Sequence, residues 1–283
     1  MDQDSVIQLQ QGELRLALRT DCGGAVAGLW LDDLPVLRSC DPPALRSARE
    51  SGCYALVPYS NRIAKREFQW LGRRYALAAN SDEPHTIHGV GWLHRWQVQQ
   101  RADDRVTLAY THPSDAQWPF AFHVEQTYEL KPDALRITLA ASNIDARRTP
   151  MGLGWHPFFV RRARSRLHLE LTHRWDASPD KLPLRRVAQS GLDTDVAGLD
   201  LDNCFEGWRG PARIRDERLS LRMTSSLDHV VIYTPRDLDR FCVEPVSHVN
   251  NALGSDDPLA LGMRSLASGE TAEAWMLLEV ARP

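Results

Sequence analysis

The sequence predicts an all-β protein built as one large antiparallel β-sandwich, and three observations carry that expectation. Apolar and polar residues alternate with period two from one end of the chain to the other, as half-buried strands require, because successive side chains point to opposite faces of a sheet. Short turn signals separate the alternating runs. Helical periodicity is scarce, and no β-α-β rhythm is present to suggest a parallel α/β fold.

In order along the chain, GELRLALRT (12–20) sets Leu14, Leu16 and Leu18 on one face and turns Glu13, Arg15 and Arg19 away from it. DPPALRSARE (41–50) reads as one short helix, with Asp41 as N-cap and Pro42 in the first turn. Strands are expected at 95–100, 105–110, 123–130, 134–142, 166–171, 218–223 and 272–280. Turns are expected at Leu71–Arg74, Arg101–Asp104 and Lys131–Ala134. The stretch from Asp176 to Leu201, with Pro179, Pro183, Gly191 and Gly198, reads as a long surface excursion. No linker-like or low-complexity tract divides the chain, so residues 1–283 are expected to form a single sandwich domain.

Composition narrows the function. A net charge of −3 gives no footprint for nucleic acid or an anionic membrane, and Arg161, Arg162, Arg164 and Arg166 read as a solvated edge. Five widely spaced cysteines without a Cys-x-x-Cys pair fit neither a disulfide framework nor a zinc ribbon. They suit a reducing compartment, where free Cys packs as a small hydrophobe. The polar start MDQDSVIQLQQG has no signal-peptide character, and no window approaches the roughly 18 apolar residues of a membrane span. A cytoplasmic location is the expectation.

The nucleophile elbow, Walker loop and dinucleotide fingerprint are absent from the sequence. Of ten histidines, His85 and His88 lie close together, but residues three apart on a strand face opposite sides. His94 is the nearest third ligand, and nothing dictates that it joins them. No metal site is therefore expected. Five segments remain that set polar residues in apolar or aromatic surroundings: VPYSNRI (57–63), HTIHGVGWLHRW (85–96), GLGWHPFF (152–159), LDLDNCFEGW (199–208) and CVEPVSHVNNA (242–252). Taken singly, His156 would read as a satisfied core histidine, Glu244 as a salt-bridge partner, Arg62 as a surface arginine and Asp202 as an Asx-turn residue. Nine tryptophans, several beside these groups, suggest instead a sugar site, where aromatic faces stack on C–H surfaces while hydroxyls find directional partners.

Together and in this order, NRI at 61–63, HG-x-x-W at 88–92, G-x-HPFF at 154–159, the aspartate of LDNCF at 201–205 and EP at 244–245 resemble the aldose 1-epimerase (galactose mutarotase) family, more closely its shorter bacterial branch. The resemblance runs from about Gly24 to Glu279. It implies a very large antiparallel β-supersandwich with an open cleft on one sheet face and no cofactor. It further implies Glu244 as general base, His156 as general acid and His88 beside the ring oxygen, with Arg62 and Asp202 on sugar hydroxyls. Asn61, Trp92 and Trp155 join them as candidate substrate contacts. One departure concerns the acid histidine, which sits in Trp155-His156-Pro157-Phe158, where the longer branch has an Asn-His-Tyr-Phe context. That leaves the preferred sugar open.

The implied reaction removes a proton from the anomeric O1 hydroxyl, delivers one to the ring oxygen O5, opens the C1–O5 bond and recloses on the other carbonyl face. It needs one base and one acid, and no hydride, metal or phosphate donor. The expected partner is a monosaccharide substrate, and the protein is expected to be a monomer or homodimer. Two alternatives stay open. One is a hexose-6-phosphate 1-epimerase, with Arg73-Arg74, Arg147-Arg148 or Arg161-Arg162 as a phosphate clamp. The other is a non-catalytic sugar-binding protein on the same sandwich.

Overall fold

The structure, a computed structural model, describes residues 5–283. It is an all-β antiparallel sandwich, as the alternation predicts. A nine-stranded sheet runs in the spatial order Gln97–Arg101, Arg105–His112, Phe122–Lys131, Ala134–Asn143, Thr271–Ala281, Ser220–Ser225, Arg209–Arg215, Arg166–Glu170 and Leu192–Asp195. An eight-stranded sheet runs Pro183–Ala188, His173–Ala177, Asp202–Glu206, His229–Tyr233, Arg240–Val246, Gly154–Trp155 and Ala55–Leu56, and Phe158–Val160 also pairs with Arg240–Val246. Four N-terminal strands from Val6 to Pro35 form a smaller sheet.

The period-two pattern decides which faces meet. In Ala134–Asn143, Leu135, Ile137, Leu139 and Ala141 are buried, and in Thr271–Ala281 so are Ala272, Ala274, Met276, Leu278 and Val280. They pack with Trp155, Phe205, Val230, Ile232, Phe241 and Val243 from the eight-stranded sheet in one continuous core. A polar link crosses it: Trp155 Nε1 donates to Gln126 Oε1 at 2.8 Å, and Tyr128 Oη donates to the Gly24 carbonyl at 2.6 Å. Both polar side chains are fully buried and matched, which avoids the cost of an unsatisfied group.

The expected turns form. Leu71 and Gly72, both at positive φ, join Trp70 to its partner Arg73, and Pro132-Asp133 joins Lys131 to Ala134. Three expectations are corrected. Residues 41–50 form two separate 3-10 turns, Pro42–Ala44 and Ala48–Glu50, and Asp41 makes no side-chain cap. Leu45 adopts extended backbone between them, which breaks the run after one turn. The region 176–201 is not an irregular excursion. Pro183–Ala188 pairs with His173–Ala177 as an edge hairpin, and Leu192–Asp195 closes the edge of the other sheet. Arg19 does not turn out to solvent, since Leu14–Arg19 is covered on both faces beyond Leu16. Its guanidinium instead pairs with Asp21 at 2.8 Å and donates to the carbonyls of Pro42 and Leu45.

The five cysteines are free, with Cys53, Cys204 and Cys242 buried. Among the described residues no helix is long and apolar enough to cross a membrane.

Candidate active site

Strand register builds the site on the outer face of the eight-stranded sheet. Asp202 pairs with Tyr233, Tyr233 with Cys242 and Cys242 with Phe158; one row over, Cys204 pairs with Val231 and Val231 with Glu244. Cross-strand partners share a face, so Asp202, Tyr233, Val231, Glu244 and Phe158 all project away from the inter-sheet core. The intervening residues Phe205, Ile232, Phe241 and Val243 project into it. The apolar floor beneath Glu244 therefore comes from Val231, Cys204, Cys242 and Val246 of the same face.

Asp202, Val231, Tyr233, Glu244 and Phe158 line a cavity of about 270 Å³, with Arg49, Tyr54, Asn61, Arg62, Glu83 and His88 among the other walls. That volume lies near the lower end of ligand pockets, roughly 300–1,000 Å³, and suits one small molecule. Six of the eight residues singled out from the sequence meet here: Asn61, Arg62, His88, His156, Asp202 and Glu244. Trp155 does not. It follows Gly154 on the strand and faces the core, fully buried on Gln126, while His156 faces the cavity. Trp92 also stands outside the lining, behind Tyr54 with ring centroids 6.2 Å apart.

His156 and Glu244 are in contact, with Nε2 3.3 Å from Oε1 and both side chains almost completely buried. The imidazole stacks on the rings of Phe158 and Tyr54, with centroids 4.3 and 5.0 Å away. Burial, with the nearby Asp202 charge, pushes the Glu244 carboxyl well above its usual range, against a smaller opposing effect of Arg62. Burial also lowers His156 to about 3, helped by the cations Arg38 and Arg49. Its Nδ1 is buried and, among the described residues, makes no hydrogen bond that meets ordinary geometry.

His88 is held by the segment before Arg62. The Asn61 N–H donates to His88 Nδ1 at 3.1 Å, and the His88 N–H donates to the Asn61 carbonyl at 2.9 Å. Because Nδ1 accepts, the neutral ring carries its proton on Nε2. Burial keeps the ring neutral by lowering its pKa well below the ordinary value, and His156 and Arg62 act in the same direction. His88 packs edge-on against His156 at 5.1 Å. Both Asn61 (φ 53°) and His88 (φ 61°) occupy the left-handed region, an uncommon conformation for residues with a Cβ. Asn80 stabilises the loop: its Nδ2 donates to the carbonyls of Ile87 (2.7 Å) and Gly89 (3.0 Å), and its Oδ1 accepts from the Ile87 N–H (2.9 Å). Gly89 is needed because a Cβ there would meet the Val57 carbonyl oxygen at 2.1 Å.

Arg62 is oriented by a residue the sequence reading passed over. Glu83 accepts from Arg62 Nε at 2.7 Å and from Nη2 at 3.3 Å. Asp202 faces Lys181 Nζ at 3.5 Å, from the tip of the edge hairpin. Tyr54, Glu83 and Tyr233 were not identified because nothing in their local sequence separates them from ordinary strand and loop residues. Phe158 stood in the quoted HPFF run and was read only as context.

The histidines weighed as metal ligands have separate surroundings. His85 Nδ1 accepts from the Lys65 N–H at 3.0 Å, and His94 stacks on Tyr110 at 5.0 Å. Among the described residues, His156, Cys242 and Glu244 bring potential ligand atoms within 4.8 Å of one another. Burial holds the Cys242 thiol well above its ordinary pKa, which disfavours the thiolate a metal needs. The arginine pairs considered as a phosphate clamp lie elsewhere: Arg147 pairs with Asp145, Arg148 with Glu270 and Arg162 with Asp216, and none of the three pairs lines the cavity.

The family model described as aldose 1-epimerase matches residues 5–279. The uncharacterized protein YphB of Escherichia coli K12 is 31% identical over 299 aligned residues, covering 98% of this chain and 99% of its own. A solved structure from E. coli K12, described as a candidate aldose 1-epimerase, matches with a TM-score of 0.89 at 29% identity over 98% of this chain and 99% of that one. A galactose mutarotase-like protein from Clostridium acetobutylicum has a TM-score of 0.85 at 20% identity, covering 98% and 95%, and shares the fold.

Proposed function

Since the chain belongs to the aldose 1-epimerase family, we propose that it interconverts the α and β anomers of an aldose, with Glu244 and His156 exchanging protons with the sugar. The contact between them carries the reading. O1 and O5 are bonded to the same carbon, so two groups that serve both must stand side by side, and the 3.3 Å spacing of Nε2 and Oε1 meets that requirement. The pair lies under the C1–O5 unit, and on binding each group turns from its partner to a sugar oxygen.

Proton bookkeeping supports the assignment. Ring opening moves the O1 proton to Glu244 and a proton from His156 to O5, so the pair holds one titrating proton before and after the step. Burial raises Glu244 and lowers His156, which shifts the balance away from the ion pair preferred in water and towards the neutral pair. His88, neutral with its proton on Nε2, donates a hydrogen bond to the ring oxygen as negative charge builds there. Arg62, fixed by Glu83, and Asp202 bind hydroxyls and set the ring in place, and Asn61 holds His88.

The pairing of acid and base in one cavity favours catalysis over simple sugar binding, which needs neither. NMR exchange spectroscopy on pre-equilibrated glucose and galactose tests the proposal. Anomer exchange well above the buffer rate supports it, and exchange at the buffer rate over a panel of aldoses that bind would end it.

A further inference from the structure

The outer face of the nine-stranded sheet, across the sandwich from the candidate active site, gathers cations that its carboxylates do not match. Register sets them in two rows over the strands Leu192–Asp195, Arg166–Glu170, Arg209–Arg215 and Ser220–Ser225. One row runs Asp195, Arg166, Arg215 and Ser220, and the next runs Asp193, His168, Arg213 and Arg222. The neighbours Leu167, Ile214 and Leu221 point into the core, so these rows point outward. Like charges placed directly opposite each other weaken a sheet. Here Arg166 stands opposite Arg215, and Arg213 stands between His168 and Arg222. The carboxylates go to the flanks. Asp193 and Asp195 both pair with Arg166, at 3.0 and 3.3 Å, and the Asp193 carbonyl accepts from its third nitrogen at 3.1 Å. Arg222 pairs with Glu279. Two arginines are left between them. Arg215 makes no side-chain hydrogen bond or ion pair among the described residues, and Arg213 meets only the His168 ring, its Nη1 donating to Nδ1 at 3.3 Å.

Arg213, Arg215 and His168 line a cavity of about 340 Å³ with Arg166 and Asp193, and none of the five lines the cavity that holds Glu244 and His156. Three arginines face one aspartate there, in a chain whose net charge is −3. Because Arg213 donates to Nδ1, the neutral His168 ring carries its proton on Nε2, which adds a donor. Residues two apart on a strand are rooted about 7 Å from each other and opposite ones about 5 Å, so two guanidinium forks and an imidazole N–H can close on one group. A planar carboxylate is satisfied by a single fork, whereas a phosphate offers three acceptor oxygens and about two charges. We propose that this cavity binds a phosphate group, free or carried on a small molecule, at a site separate from the sugar site. The volume leaves room for the rest of an ester. Both unmatched arginines are open to solvent in part, and screening keeps the affinity modest.

NMR of the histidine rings locates binding, because phosphate held at the sugar site leaves His168 unmoved; the His168 signal is assigned by its loss in H168Q. Inorganic phosphate, glycerol 3-phosphate and acetate are titrated into wild type and into R213Q/R215Q at about 0.02 M salt. We expect the His168 signal to move with a Kd of about 1 mM or tighter for at least one phosphate compound, and about tenfold more weakly for acetate. In R213Q/R215Q, and in wild type near 0.2 M salt, the phosphate response should weaken by about tenfold or more. R215Q alone, whose side chain has no partner to lose, should weaken it by about threefold or more and serves if the double variant does not fold. Saturation by glycerol 3-phosphate alone assigns the site to an ester, by inorganic phosphate alone to the free ion, and by both to the phosphate group itself. A His168 ring that answers neither phosphate compound, an equal response to acetate, or a response that survives in the folded variants overturns the proposal. None of these outcomes bears on anomer exchange, which is read separately.

Discussion

His156 Nε2 lies 3.3 Å from Glu244 Oε1 in a pocket where both side chains are shielded from water. The strand that carries Glu244 is separated from His156 by more than eighty residues of chain, and the two meet because Gly154 pairs with Val246 and Phe158 with Cys242 on either side of them.

Removing the carboxylate tests this contact most directly. Glu244→Gln keeps the shape and loses the base, so anomer exchange should fall by roughly 10²–10⁴-fold. The same change removes a buried acid whose folded pKa is raised. Its favourable contribution is complete below the ordinary carboxyl pKa and is lost as pH rises from there through the raised folded-state value. E244Q should therefore be at least as stable as wild type at pH 7, by urea unfolding. A well-folded variant with wild-type rates would remove Glu244 from the mechanism.

The buried histidine His248 should set an acid limit on stability. Its Nδ1–H donates to the Val249 carbonyl at 2.8 Å, and its Nε2 accepts from the Ser60 N–H at 3.1 Å. The second bond requires the neutral ring, because a protonated Nε2 has no lone pair to accept with, and burial lowers its pKa to about 4. Between the ordinary value and about 4 the unfolded chain binds a proton that the folded chain refuses. Stability thus falls as pH drops through that window, by on the order of 3 kcal/mol from this group. NMR titration should show His248 still neutral at pH 5; an imidazole that charges near pH 6.5 would contradict this.

Asn80 touches none of the cavity side chains through its own bonds and acts on the backbone either side of His88. Asn80→Ala leaves the Ile87 N–H and two carbonyls without these partners, a cost of about 1–3 kcal/mol. It also loosens the placement of His88. The rate constant kcat should drop on the order of tenfold at temperatures where the variant is fully folded. An unchanged kcat would confine Asn80 to stability.

Glu83→Gln frees the Arg62 guanidinium from its two-point clamp. If Arg62 binds a hydroxyl equally in ground and transition states, KM should rise roughly three- to tenfold with kcat nearly constant. A fall in kcat without a change in KM would place Arg62 in the chemistry of the step.

Much of the fold was legible because burial on one face imposes a two-residue rhythm on each strand. The runs at 123–130, 134–142 and 272–280 became strands with alternating cover. Edge strands were harder to see. His173–Ala177 and Pro183–Ala188 have no fully buried residue, so no hydrophobic rhythm marks them. The ten residues after Cys40 contained real turn formers, but two prolines and an extended Leu45 left single turns where one helix was expected.

For the site, the sequence by itself determined which chemical groups were available: a Glu and two His in aromatic surroundings, an Asn-Arg pair and an Asp, in an order shared with one family. Only the tertiary structure decided which of them meet. Strand parity turned His156 to the cavity and its neighbour Trp155 to the core, and cross-strand register aligned Asp202, Tyr233 and Phe158 beside Glu244. It also brought in Glu83, Asn80 and Arg49, whose local sequence carries no mark of the task. The physical reason is that residue type and rhythm are properties of a short stretch of chain, whereas proximity, burial and charge balance depend on strands paired across long separations.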